Sequence, residues 1–146
     1  MSEPTRTVLR KAIERALRVN PTMAGSRIFH ERRVGFSVEE LPAVNILMAE
    51  QESQFSEDRR WEMYRFTVAA LLVQDQYNPE DGGFEFVAKL DEFEDQVRKA
   101  LGCLKVPGCR MSFVDKTMQN YDAEGQSMFA SAWVSVMFQT EAPMFG

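Results

Sequence analysis

The chain is 146 residues long, 45% apolar and 27% charged, a mixture that excludes a disordered segment and fits a single domain over residues 1–146 with a real core. Its net charge of −5 argues against a sequence-independent nucleic-acid binder, which needs a basic surface to displace counterions from phosphates. No apolar run reaches the roughly 20 residues of a membrane-spanning helix. The charged opening MSEPTRTVLRKAIERALRVN lacks the apolar stretch of a signal peptide, so a cytoplasmic location is expected.

Thr5 to Val19 places Val8, Leu9, Ala12, Ile13, Ala16 and Leu17 on one stripe, the spacing of an amphipathic helix. Arg6, Arg10, Lys11, Glu14, Arg15 and Arg18 take the other face, a solvated surface or one that meets an acidic partner. Pro4 suits the first turn and Asn20-Pro21 the stop. A turn-rich PTMAGS leads into SRIFHERRVGF, a short strand or hairpin. After Leu41-Pro42, AVNILMAEQ alternates as a strand, with Pro42 at its start because proline lacks an N–H. QESQFSED then reads as a polar connection.

In RWEMYRFTVAALLVQ the alternation almost disappears. Trp61, Met63, Ala69, Leu71 and Val73 fall on one side and Tyr64, Phe66, Val68, Ala70 and Leu72 on the other, which predicts a strand covered on both faces. DQYNPEDGG is a loop by its Asn78-Pro79 and Asp81-Gly82-Gly83. FEFVAKLDEFEDQVRKALG is a second helix with Phe86, Leu90, Phe93, Val97 and Leu101 inward and Gly102 as its stop. A strand over Met111 to Gln119 and a turn at Asp122 to Gly125 precede the last strand, which ends at Ala142-Pro143.

The order of helix, about three strands, helix and two strands predicts an α/β protein of the α+β type. Its mixed, mostly antiparallel sheet would carry two amphipathic helices on one face. The last strand raises the question of the opposite face. In SMFASAWVSVMFQTE, Met128, Ala130, Ala132, Val134, Val136 and Phe138 form one buried side, yet Phe129, Trp133 and Met137 alternate with serines on the other. Either another subunit covers that side, or a loop of the same chain, such as Ile28–Phe36, folds over it.

Chemistry is sparse. His30 is the sole histidine, and Cys103 and Cys109, separated by LKVPG, are the only cysteines. Without a secretory signal the thiols are expected to be reduced and structural. A zinc site or a Cys–His nucleophile pair would have to use these three residues, without the spacing of known ligand motifs. No GxSxG, GxxxxGK[ST] or GxGxxG pattern occurs. The paired acids Glu39-Glu40, Glu57-Asp58 and Asp91-Glu92 sit in polar surroundings and read as solvated, so no catalytic, metal or cofactor-binding residue is expected.

Six landmarks stand in a recognisable order: the helix LRKAIERAL, the Phe-containing RIFHERR, the acidic FSVEE entering LPAVNILMAEQE, the strand RRWEMYRFTVAALL near Trp61, Tyr121-Asp122, and the terminal strand. From Leu9 to Thr140 they resemble the tail terminator proteins of long-tailed phages, the group of the lambda-like minor tail protein U. CLKVPGC and the MFG tail after Pro143 depart from that pattern. The resemblance implies a small subunit that forms a ring, commonly a hexamer, in the bacterial host cytoplasm and on the virion tail. Its partners would be other copies of itself, the tail tube protein and a head completion or connector protein. No enzyme activity, cofactor, membrane or sequence-specific nucleic acid is implied. On alternation, Phe129, Trp133 and Met137 are candidates for subunit contacts. Asp75, Tyr77, Asn78, Glu80 and Asp81 of the DQYNPEDGG loop are candidates for contact with tube or head. The alternative is a small ligand-binding or regulatory module with an open sheet over an apolar pocket.

Overall fold

A computed structural model describes residues 3–33, 35–56, 58–73, 79–102, 104–120 and 129–142. Two helices, α1 (Thr5–Val19) and α2 (Phe84–Gly102), accompany five strands: β1 (Ile28–His30), β2 (Ala43–Ser56), β3 (Arg59–Val73), β4 (Cys109–Asn120) and β5 (Phe129–Ala142). The strands form one sheet in the order β1-β2-β3-β5-β4. β1 runs parallel to β2, and every other pairing is antiparallel. The fold is α+β, as the element order predicts.

β3 and β4 point the same way with β5 between them, so the chain must cross over the sheet to connect them. α2 makes that crossing. Asp81 starts it, its carboxylate accepting the Gly83 N–H at 2.8 Å and the Glu85 N–H at 3.3 Å, which satisfies donors that the first helical turn leaves open. Gly82 and Gly83 have φ of 70° and 81°, so the chain can turn into the helix where a side chain would be strained.

Both helices cover one face of the sheet. Leu9, Ile13 and Leu17 of α1 and Phe86, Leu90, Phe93, Val97 and Leu101 of α2 are buried together, on the stripes the helical periods predict. They pack on Tyr64, Phe66, Val68, Ala70 and Leu72 of β3 and on the even-numbered residues Ala130 to Phe138 of β5. Phe66 and Phe138 meet edge to face, with ring centroids 6.0 Å apart. Met128 and the turn at Asp122 to Gly125 lie outside the described residues.

One local expectation needs correction. QESQFSED is no connection: β2 continues to Ser56 and pairs with β3 down to Arg59. A β-bulge between Met48 and Glu50 explains why alternation fails there. One extra residue, Ala49, shifts the side-chain period, so Met48 stays on the helix side while Glu50 faces the other way. In SRIFHERRVGF the short strand is the alternative that forms: Ile28–His30 adds a short parallel strand at the edge, and the chain then turns at Glu31, φ 50°.

Phe93 and Phe84 make a paired test of this layer. Phe93 is fully buried and Phe84 is 76% exposed at the start of α2. Phe93→Ala is expected to cost about 3–5 kcal/mol in urea denaturation. Phe84→Ala should stay within about 0.5 kcal/mol of the parent chain.

Candidate assembly surface

The sheet face opposite the helices divides into two regions. Its rows follow from the register: Val73 beside Phe129, Leu71 beside Ser131, Ala69 beside Trp133, Thr67 beside Ser135, and Arg65 beside Met137. β2 adds Ala43, Asn45 and Leu47 on one flank, and β4 adds Lys116 and Met118 on the other.

At the Phe129 end the chain covers itself. Phe36 and Leu41, from the segment between β1 and β2, bury against Ala43, Leu71 and Val73, with Phe29 and Phe129 packed alongside. Arg32 holds the segment down. Its guanidinium carbon lies 4.8 Å from the Phe29 ring centroid and 4.3 Å from that of Phe36, while the two rings meet edge to face. The same guanidinium donates to both carboxylate oxygens of Glu40, at 2.5 and 2.8 Å. The buried Asn45 side chain ties the Arg32 backbone to β2, accepting its N–H at 3.1 Å and donating to its carbonyl at 3.0 Å. Arg32 and the Ser37 backbone N–H together hold the Glu40 carboxyl down to about 2. Sequence reading left a fold-over by Ile28–Phe36 open, and Phe36 does bury here; Arg32, Asn45 and Glu40 carry no periodic signal by which to find them.

The cluster under Phe36 reaches no residue of the face beyond Leu71 and Phe129. Trp133 is half-buried and donates its indole N–H to Ser131 Oγ at 2.7 Å. Its neighbours across the strands are Ala69, which is small, and Met118, which is 50% exposed. Thr67 and Ser135 are buried and share a hydroxyl contact at 3.3 Å. Met137 is half-buried beside Arg65. Arg65 donates to Glu50 of β2 at 2.9 Å and to Asp115 of β4 at 2.8 Å, so one side chain ties together strands on both sides of β5. Asp115 is the extra residue at another register shift, between Val114 and Lys116, and its carboxylate meets Arg65 there.

The candidate residues fall in two neighbourhoods of the face. Phe129 belongs to the self-covered cluster, whereas Trp133 and Met137 share the open part of the face with Met118. Of the loop candidates, Asp75, Tyr77 and Asn78 lie outside the described residues; Glu80 and Asp81 form a 3-10 turn where Asp81 caps α2. His30 Nε2 sits 3.0 Å from Glu14 Oε1 on α1, and its hydrogen bond lowers the Glu14 pKa. Cys109 opens β4 at the opposite edge of the sheet, four strand spacings or roughly 19 Å away. That separation prevents a His30–Cys109 pair; Cys103 lies outside the described residues. No group of three or more potential metal ligands occurs among the described residues. None of their helices is long and apolar enough to cross a membrane.

No protein-family model matches the chain, and no curated protein matches it. Among solved structures it is similar to a chain from the virion of a native gene transfer agent particle. The TM-score is 0.64 at 12% identity, over 97% of this chain and 100% of that one. A second solved chain is similar with a TM-score of 0.54 at 10% identity, over 97% of this chain and 99% of its own. The shared property is the fold, from α1 to β5.

The Arg32–Glu40 clasp makes the covering segment sensitive to acid. The folded-state pKa of Glu40 lies below its ordinary 4.5, so its contribution is present above pH 4.5 and is lost as pH falls toward 2. The melting-temperature gap between the parent chain and Glu40→Gln should be widest above pH 4.5 and close near pH 2.

Proposed function

We propose that this chain is a structural subunit of a phage-like particle and, within that class, a tail terminator. Copies would form a ring, commonly hexameric, on the finished tail tube. One ring face complements the last ring of tube protein, and the other offers no tube-like docking surface, so polymerisation stops. That second face then receives the head completion or connector protein. The work is binding alone, with assembly in the host cytoplasm and on the virion tail.

The observation that carries this reading is the fold likeness to a virion chain, which extends over 97% of this chain and all of that one. The open sheet face supports it. Trp133, Met137 and Met118 present aromatic and methionine surface, which is enriched at the buried centres of subunit interfaces. Self-association would remove that surface from water without a further element of the same chain. A ring around DNA also suits an acidic chain of net charge −5, because phosphate is repelled and not held in the lumen.

Light scattering across a concentration series tests the reading. A mass that rises reversibly toward a closed ring is expected, and a monomer at every concentration and salt would overturn it. If Trp133 sits at the centre of the contact, Trp133→Ser should raise the half-assembly concentration about thirtyfold, the effect of losing roughly 2 kcal/mol at an interface hot spot. Circular dichroism should be unchanged.

A further inference from the structure

α1 and α2 lie toward opposite edges of the sheet. Glu14 of α1 meets His30 of β1 at 3.0 Å, and Arg10 reaches Glu31, just past β1, at 3.0 Å. Asp91 and Glu94 of α2 accept the side-chain amide of Gln119, on β4 at the other edge, at 2.7 and 3.3 Å. The two helices also differ in charge. α1 sets Arg6, Arg10, Lys11, Arg15 and Arg18 against Glu14 alone. Residues 84–95 of α2 set Glu85, Asp91, Glu92, Glu94 and Asp95 against Lys89 alone.

The outward stripes carry this contrast. Lys11, Arg15 and Arg18 fall four and three residues apart on one exposed line of α1, and Glu85, Glu92 and Asp95 fall seven and three apart on one exposed line of α2. Acid near the start of α2 suits the helix dipole, but the basic line has no such cause. Cations are unfavourable where a helix begins, and α1 has no acid in its first turn and has Arg6 there. The pairs these groups make within the chain lie at the surface: Lys11 with Glu3, Arg18 with Glu14, and Asp95 with Lys99. Such pairs contribute little and exchange partners readily. Arg15, Glu85 and Glu92 make no ion pair among the described residues.

We propose that the basic outer face of α1 on one copy docks against the acidic outer face of α2 on the next. The occupant is a second copy because the chain carries both halves of the match, toward opposite edges of its sheet. Copies set side by side in the same sense bring an acidic edge to a basic one. A two-fold arrangement about either edge would instead set like charge against like. The contact is therefore head-to-tail and leaves one α1 and one α2 face free at the ends of every open chain, which is the geometry that closes into rings. The inference rests on the ring reading above and gives the helix side of the sheet its own contact, with Trp133 on the other side.

Two charge-reversed variants test it at low salt, where screening is weak. Lys11→Glu with Arg15→Glu reverses the α1 line, and Glu85→Lys with Glu92→Lys reverses the α2 line. All four residues are exposed, so circular dichroism should match the parent chain. Each variant alone is expected to need at least about tenfold more protein to assemble, because like charges then meet at every contact. Mixed in equal amounts, the two should co-assemble near the parent concentration, since alternating copies again oppose acid to base. One chain carrying all four substitutions keeps the net charge of −5 and should assemble by itself. Assembly of either variant alone at the parent concentration, or failure of the mixture or of the fourfold variant, would overturn the docking. A parent species that stops at a dimer would overturn it too. If Trp133→Ser loses assembly while both charge variants keep it, the ring reading stands and only this contact fails. If the parent chain never associates, both fail together.

Discussion

β3 carries apolar side chains on both of its faces, and each face must be taken out of water by a different part of the chain. The helix side is simple: α1 and the α2 crossover both lie there, so Tyr64, Phe66, Val68, Ala70 and Leu72 sit under a full layer. Among the described residues the other side has no α-helix to draw on. Leu71 and Val73 are buried by Phe36 and Leu41, while Thr67 is paired with a serine and Arg65 is spread across strands. Trp133 and Met137 lie beyond this improvised cover, and Met118, half exposed, stands beside Trp133.

Two arginines organise that side, and lysine would serve in neither place. Arg32 stacks over two phenylalanine rings while its fork grips both oxygens of Glu40, which needs a flat group with several donors. Arg65 reaches carboxylates on β2 and β4 at once, and a single ammonium on a flexible stem would make one contact at a time. The first arginine fixes a loop onto the sheet. The second ties strands across β5, where the face is otherwise open.

Much of this was legible in the chain's periodicities. The stripes of α1 and α2, the two-sided burial of β3 and the even-numbered core face of β5 follow from spacing, because in those stretches the period is unbroken. Legibility failed where one residue upset the count. The bulge at Ala49 turned a continuing strand into what read as a polar connection, and the extended hairpin arm has no core face to reveal it. The cover over Phe129 was legible only as an alternative, since Arg32, Asn45 and Glu40 are brought together by the turn at Glu31 and by no repeating pattern.

β1 pairs with only Val44 to Ile46 of β2, so the rest of that fourteen-residue strand forms a boundary of the sheet. Backbone groups along such a boundary are a template on which further strands can add without limit, the route to fibres and not to finite particles. The bulge at Ala49 twists this stretch, and Glu50 and Glu52 place carboxylates along it. Both are devices that discourage strand-by-strand growth. The same irregularity that concealed β2 in the sequence is thus also one that makes this edge a poor template for a further strand.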